Sequence, residues 1–139
     1  MIKGSLKPLI NRLEKKVKGF DGDLMLKIGL GINSIIQERT QKEGKGSKGG
    51  KMPLYSRSYA RKRQRTGRAT RSRDLTYTGN MWASLTASRI SKKKVKLHFA
   101  GADENNKARY NDKKTPFFSL GKNGREYLRK ELNKFNKSK

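Results

Sequence analysis

Cysteine is absent from this chain, which excludes disulfides and every metal site built on thiolates. Histidine occurs once, as His98, and only 11 Asp and Glu stand among 139 residues. The usual materials of a metal centre or a general acid–base pair are therefore scarce. No apolar run approaches the roughly 18 residues of a membrane span, so no membrane partner is expected. The opening MIKGSLKPLINRL has no uninterrupted apolar core and no small-residue cleavage site, and is not expected to be a secretion signal. Hydrophobic residues make up 32% of the chain, enough for one small core but not for packing every segment. Residues 1–139 are read as a single domain, with part of the chain outside the core and ordered by a partner.

What is present in excess is positive charge: 36 Lys and Arg give a formal net charge of +25. Self-repulsion at that density opposes a compact monomer and favours a polyanion or an acidic protein surface as partner.

The apolar pattern divides the chain. Leu6, Leu9, Ile10, Leu13 and Val17 recur at helical spacing behind Ser5, predicting a helix over about 5–18 that stops at Gly19. A second predicted helix, capped by Asp21 or Asp23, carries Leu24, Ile28, Ile32, Ile35 and Ile36, with Met25 on its flank. Gly29 and Gly31 lower its intrinsic propensity, and suit close approach in a tight helix pair or a subunit contact.

From 42 to 73 every charged residue is basic except Glu43, and Gly44, Gly46, Gly49 and Gly50 loosen the first part. This stretch is expected to be a flexible basic arm inserted between the second helix and the core. The spacing Gly44-x-Gly46-x-x-Gly49 has no strand before it and no apolar helix after it, so it is not a dinucleotide loop. Tyr55 and Tyr59 can share a short helical face with Ala60 and Arg63. Arginine dominates from Arg57 onward, and guanidinium binds phosphate bidentately. Lys51, Arg57, Arg61, Lys62, Arg63, Arg65, Arg68, Arg71 and Arg73 are the candidate contacts to DNA or to a neighbouring ring. A long solvated loop crossing to a neighbouring subunit accounts equally for the same residues.

Next comes DLTYTGNMWASL, with Thr78 as candidate cap, Gly79 opening a short helix, and Met81, Trp82 and Leu85 as its buried set. Val95, Leu97 and Phe99 alternate with Lys94, Lys96 and His98, predicting a half-buried strand within an antiparallel hairpin over about 85–100. A short helix through Ala108 and Tyr110, capped by Asp103, follows the hairpin. Lys113 to Pro116 reads as extended. A final helix begins near Asn123, with Tyr127, Leu128, Leu132 and Phe135 on its apolar side.

The order SYARKRQ, DLTYTGNMWASL, hairpin, KARYND and TPFFSLGKNGREYL resembles the phage virion morphogenesis family of tail-completion and head–tail joining proteins. The resemblance runs through roughly residues 53–132. It rests on Leu75, Thr76, Thr78, Gly79, Met81, Ser84 and Leu85, then Ala108, Tyr110 and Asn111. Pro116, Phe117, Phe118 and Leu120 follow, then Arg125 and Glu126. The middle segment lacks the glycine-ended His-x-Phe-Gly form that many relatives carry.

The resemblance implies an α+β fold, in which a small antiparallel sheet packs with two N-terminal helices and a C-terminal helix. It also implies a non-enzymatic structural protein that assembles as a ring at the head–tail junction of a virion, beside portal, neck or tail proteins and DNA. Its location would be the host cytoplasm during assembly and then the particle. Leu75, Thr78, Gly79, Met81, Trp82, Leu85, Pro116, Phe117, Phe118 and Leu120 are then structural signature residues. The competing reading is a stand-alone nucleic-acid-binding protein using residues 57–73. No catalytic residue, metal or cofactor is assigned. Asp103 and Glu104 are adjacent acids, which a helix N-terminus explains more simply than a nuclease metal pair.

Overall fold

The computed structural model describes residues 22–68, 70, 73–76, 78–92 and 94–137. The helix expected over 5–18 lies outside the described residues.

Helix α1, Gly22–Gln41, is the spine of the fold. Met25, Ile28, Ile32 and Ile36 are buried along one stripe, so Met25 belongs to the core face and not to its flank. The helix lies between the hairpin and the C-terminal helix. Its two interior glycines serve one side each. A Cβ at Gly29 would stand 2.7 Å from Val95 Cγ1 and 3.1 Å from Leu97 Cδ2, and one at Gly31 would strike the Tyr127 ring. The close approach predicted at these positions is therefore made by side chains of this same chain.

The hairpin is β1, Leu85–Ser91, paired antiparallel with β2, Lys94–Phe99. Leu85, Ala87 and Arg89 face Phe99, Leu97 and Val95 in one row, while Thr86 and Ser88 face His98 and Lys96 in the other. The first row carries the apolar residues that pack on α1, and the second is polar, as period-2 alternation requires. A register shift between Arg89 and Ser91 leaves Ile90 in the irregularity, 56% exposed. With helices on both sides of this two-stranded sheet in the sequence, the architecture is the expected α+β fold.

The segment expected to be a flexible arm is folded where it is described. Gly46 N–H donates to Gly50 O, Met52 N–H donates to Gly44 O, and Lys45 and Lys51 form an isolated antiparallel bridge. Met52 is buried in the core. Helix α2, Arg57–Arg65, follows, with Ser56 Oγ accepting from Tyr59 N–H as its cap. The glycines permit a tight return, and buried Met52 and Arg63 hold the middle of the segment down. Charge alone could not predict that.

Helix α3, Asn80–Ala83, is one turn long. Gly79 takes the cap position at φ 85°, while Thr78 Oγ1 still accepts from Asn80 N–H at 3.3 Å. Helix α4, Ala102–Lys114, is longer than the short helix expected, and absorbs Lys113 and Lys114. Asp103 and Glu104 in its first turn and the two lysines in its last complement the helix dipole. It ends at Thr115 because a residue before proline is driven out of the helical region. Helix α5, Gly121–Lys137, starts two residues earlier than Asn123, and buries Leu128 and Leu132.

The core joins α1 to Trp82, Leu97, Phe99, Phe117, Phe118 and Leu120. Trp82 meets Phe117 edge-on at 5.7 Å and Phe99 at 6.1 Å, and Phe99 lies 5.0 Å from Phe118.

Candidate functional site

Asp74 is the hub of the first polar constellation. Its Oδ1 accepts from Tyr55 OH at 2.9 Å, from Thr76 N–H at 2.9 Å and from Arg63 Nη2 at 3.2 Å. Its backbone carbonyl accepts from Trp82 Nε1 at 3.0 Å. Arg63 Nη1 also donates to Thr76 O at 2.6 Å, and the guanidinium lies 4.4 Å from the centre of the Tyr55 ring. Leu75, held between these contacts, is the one non-glycine residue at positive φ (57°) among those described. Burial, reinforced by the hydrogen bond to Asp74, pushes the Tyr55 phenol up to about 12. This arrangement pins α2 to the loop that leads into α3.

Arg63 is therefore not a contact to DNA or to a neighbouring ring, because it is 1% exposed. A buried guanidinium needs a carboxylate and oriented carbonyls, and Asp74 and Thr76 provide them. The other predicted cations are arranged differently. Arg57, Arg61 and Arg65 recur every four residues along α2 and are exposed, as are Lys62 and Lys51. Arg68 and Arg73 are half-buried. Arg71 lies outside the described residues.

A second constellation organises the Pro-Phe-Phe turn. Arg39, buried at the end of α1, donates from Nη2 to Phe117 O at 2.6 Å and Ser119 O at 2.9 Å, and from Nη1 to Leu120 O at 3.3 Å. Burial lowers its pKa, and Glu43 partly opposes that shift. Asp112 Oδ1 accepts from both Phe117 and Phe118 N–H at 2.9 Å, and Pro116 O accepts from Ser47 N–H. Phe117, Phe118 and Leu120 are buried, whereas Pro116 is exposed. Gly121 adopts φ 60°, and a Cβ there would meet the Arg39 guanidinium and, at 2.8 Å, Ser47 O.

The sequence pattern did not pick out Asp74, Arg39 or Asp112. Tyr55, Tyr59 and Arg63 at steps of four were a partial signal, since the Tyr rings do meet at 5.2 Å with Arg63 beside them. Arg39 carries no local signal, because its acceptors lie about eighty residues away.

Two concavities flank α4. One, of about 550 Å³, is lined by Tyr55, Tyr59, Arg73, Met81, Lys107 and Tyr110 among others. The other, of about 880 Å³, lies between β2 and α4. His98 Nε2 and Ser88 Oγ are hydrogen-bonded at 2.7 Å across the hairpin. Glu104 pairs with Lys107 while its neighbour Asp103 is exposed. Among the described residues no group of three or more His, Cys, Asp or Glu is placed to hold a metal ion, and no helix is long and apolar enough to cross a membrane.

No protein family, curated protein or solved structure was found to match the chain.

Proposed function

We propose that this protein is a structural component of a tailed-phage virion, forming an oligomeric ring at the head–tail junction through which DNA passes. The observation that supports this most is the convergence of the family-like segments. Trp82 of DLTYTGNMWASL packs on Phe117 of TPFFSL, and both pack on Phe99 of the hairpin between them. Met81, Trp82, Phe117, Phe118 and Leu120 thus share one core, while Thr78 and Pro116 of the same segments lie exposed at its margin.

Two further features suit a subunit of an assembly. Among the described residues the sheet has two strands, so each leaves one edge unpaired within it. Leu54 at 71% and Ile90 at 56% exposed offer apolar surface outside the core. Native mass measurement of the purified protein, alone and with portal and tail proteins, tests the reading. A discrete ring supports it, and a chain that stays monomeric and never enters particles rejects it.

The second reading, a stand-alone nucleic-acid-binding protein, is favoured by the exposed stripe of Arg57, Arg61 and Arg65. Replacing these three with serine should then flatten the salt dependence of DNA binding. Intact binding after that change removes this reading.

A further inference from the structure

The groove of about 880 Å³ between β2 and α4 lies outside every residue considered above for nucleic-acid contact. Its lining includes Lys96, His98, Asn105, Arg109, Asp112 and Lys113. Asn105, Arg109 and Lys113 are four residues apart on α4, so they stand in line about 6 Å apart along one wall. Lys96 and His98 alternate on the polar face of β2, about 7 Å apart, and Lys94 extends that row beyond the groove. Ala100, Gly101 and Ala102, where the two walls join, add small groups only.

The charge in this groove is only partly compensated. Five carboxylates elsewhere on the surface pair with a cation: Asp23 with Arg89, Glu38 with Lys42, Glu43 with Lys45, Glu104 with Lys107, and Glu131 with Lys134. Lys96, Arg109 and Lys113 are exposed and form no ion pair among the described residues. Asp112, the one carboxylate in the lining, is engaged by the Phe117 and Phe118 amides. Lys96 on one wall and Arg109 and Lys113 on the other outnumber the single carboxylate, repel one another and concentrate anions between them.

We propose that this groove binds the phosphate backbone of duplex DNA. Backbone phosphates are anions that recur along a strand, so they can meet Lys96 on one wall and Arg109 and Lys113 on the other, and their binding needs no base contact. Single-strand sites use exposed aromatic platforms for stacking, and the one Phe, Tyr or Trp ring in this lining, Phe99, is buried. The inference deepens the ring reading and rests on it for the source of the DNA.

The test is the salt dependence of binding to a fluorescently labelled duplex of random sequence. It compares wild type, the groove variant Lys96→Thr/Arg109→Gln/Lys113→Gln, and an equal-charge control, Lys122→Gln/Arg125→Gln/Arg129→Gln on the exposed side of α5. Matching melting temperatures establish that all three fold. Each phosphate that a cation neutralises adds roughly 0.9 to the slope of log K against log salt. The groove variant should therefore lower that slope by about 2–3, and the control by less than about 1. An unchanged slope in the groove variant overturns the proposal, as do equal reductions in both variants. Loss of binding to anionic vesicles with duplex binding retained also overturns it. Native mass of the wild type reports separately on the ring, so a monomer that still shows the groove effect rejects only the ring.

Discussion

Asp74 engages the chain on every side: Tyr55, Arg63 and the Thr76 amide meet its carboxylate, and Trp82 meets its carbonyl. Removing Arg63 would leave a half-buried carboxylate and the Thr76 carbonyl without their cation. Arg63→Ala should therefore destabilise the fold by roughly 3 kcal/mol, as breaking buried pairs does, measured by urea unfolding. The flanking Arg61→Ala should change stability by less than about 0.5 kcal/mol, as at an open surface site. Equal effects at the two positions would contradict the burial of Arg63.

Tyr55 makes the same network visible to pH. Its pKa is raised to about 12, so the fold favours the neutral phenol. That contribution is complete below the ordinary tyrosine value near 10, and is lost as pH rises through about 12. Tyr127 is also raised, by burial and Glu131, so ultraviolet titration should show Tyr55 and Tyr127 ionising late, and Tyr55→Phe should remove one of these late steps. Tyr110, pulled down by its hydrogen bond from Lys114, should ionise ahead of Tyr55 and Tyr127. A Tyr55→Phe titration identical in shape to wild type would show that Asp74 does not hold this hydroxyl.

Among the elements, α1 is the one with no room to spare. Gly29→Ala brings a helix-propensity gain of about 1 kcal/mol, but places a methyl against Val95 and Leu97. Overpacking of this kind costs typically about 1–3 kcal/mol, so the net effect should be destabilising by roughly 1 kcal/mol. Val95→Ala beside it should recover part of the loss, giving a favourable coupling in a double-mutant cycle. Additive effects would mean that α1 and β2 are not in contact at this point. The segment expected to be a flexible arm belongs to this same level. A glycine-rich turn, a buried methionine and a capped helix fold most of the segment, and leave the α2 arginines displayed from a fixed surface.

At the scale of the whole molecule, +25 on 139 residues is a repulsive field that the fold must withstand. Screening should relieve it, so the melting temperature should rise as sodium chloride is raised from about 0.05 to 0.5 M, over which the Debye length shrinks several-fold. Duplex DNA should raise it further at low salt, by mass action on the folded state. A melting temperature indifferent to salt would place the charges too far apart to matter. The oligomer measured by native mass belongs to this scale too, because neither a single residue nor a single element forms a ring.

Alternation fixed the hairpin in advance, because a strand with one buried face must write hydrophobic residues at every second position, as Val95, Leu97 and Phe99 do. The stripe of α1 and the buried residues of α5 were legible for the same reason at helical spacing. The lengths of α4 and α5 were less so, since their ends depend on dipole complement and on Pro116 as much as on apolar pattern. What no local pattern carries is which charge goes inside. Arg63 stands among arginines that share its composition, and only the position of Asp74 in space makes it the buried one. Arg39 is held by three carbonyls that chain distance separates from it, and Lys96 meets Arg109 and Lys113 across a groove only after β2 and α4 have packed. The sequence by itself determined the periodic elements and the excess of positive charge. Tertiary structure decided where that charge is neutralised and where it is left facing itself, because Coulomb interactions depend on distance in space and on burial, not on separation along the chain.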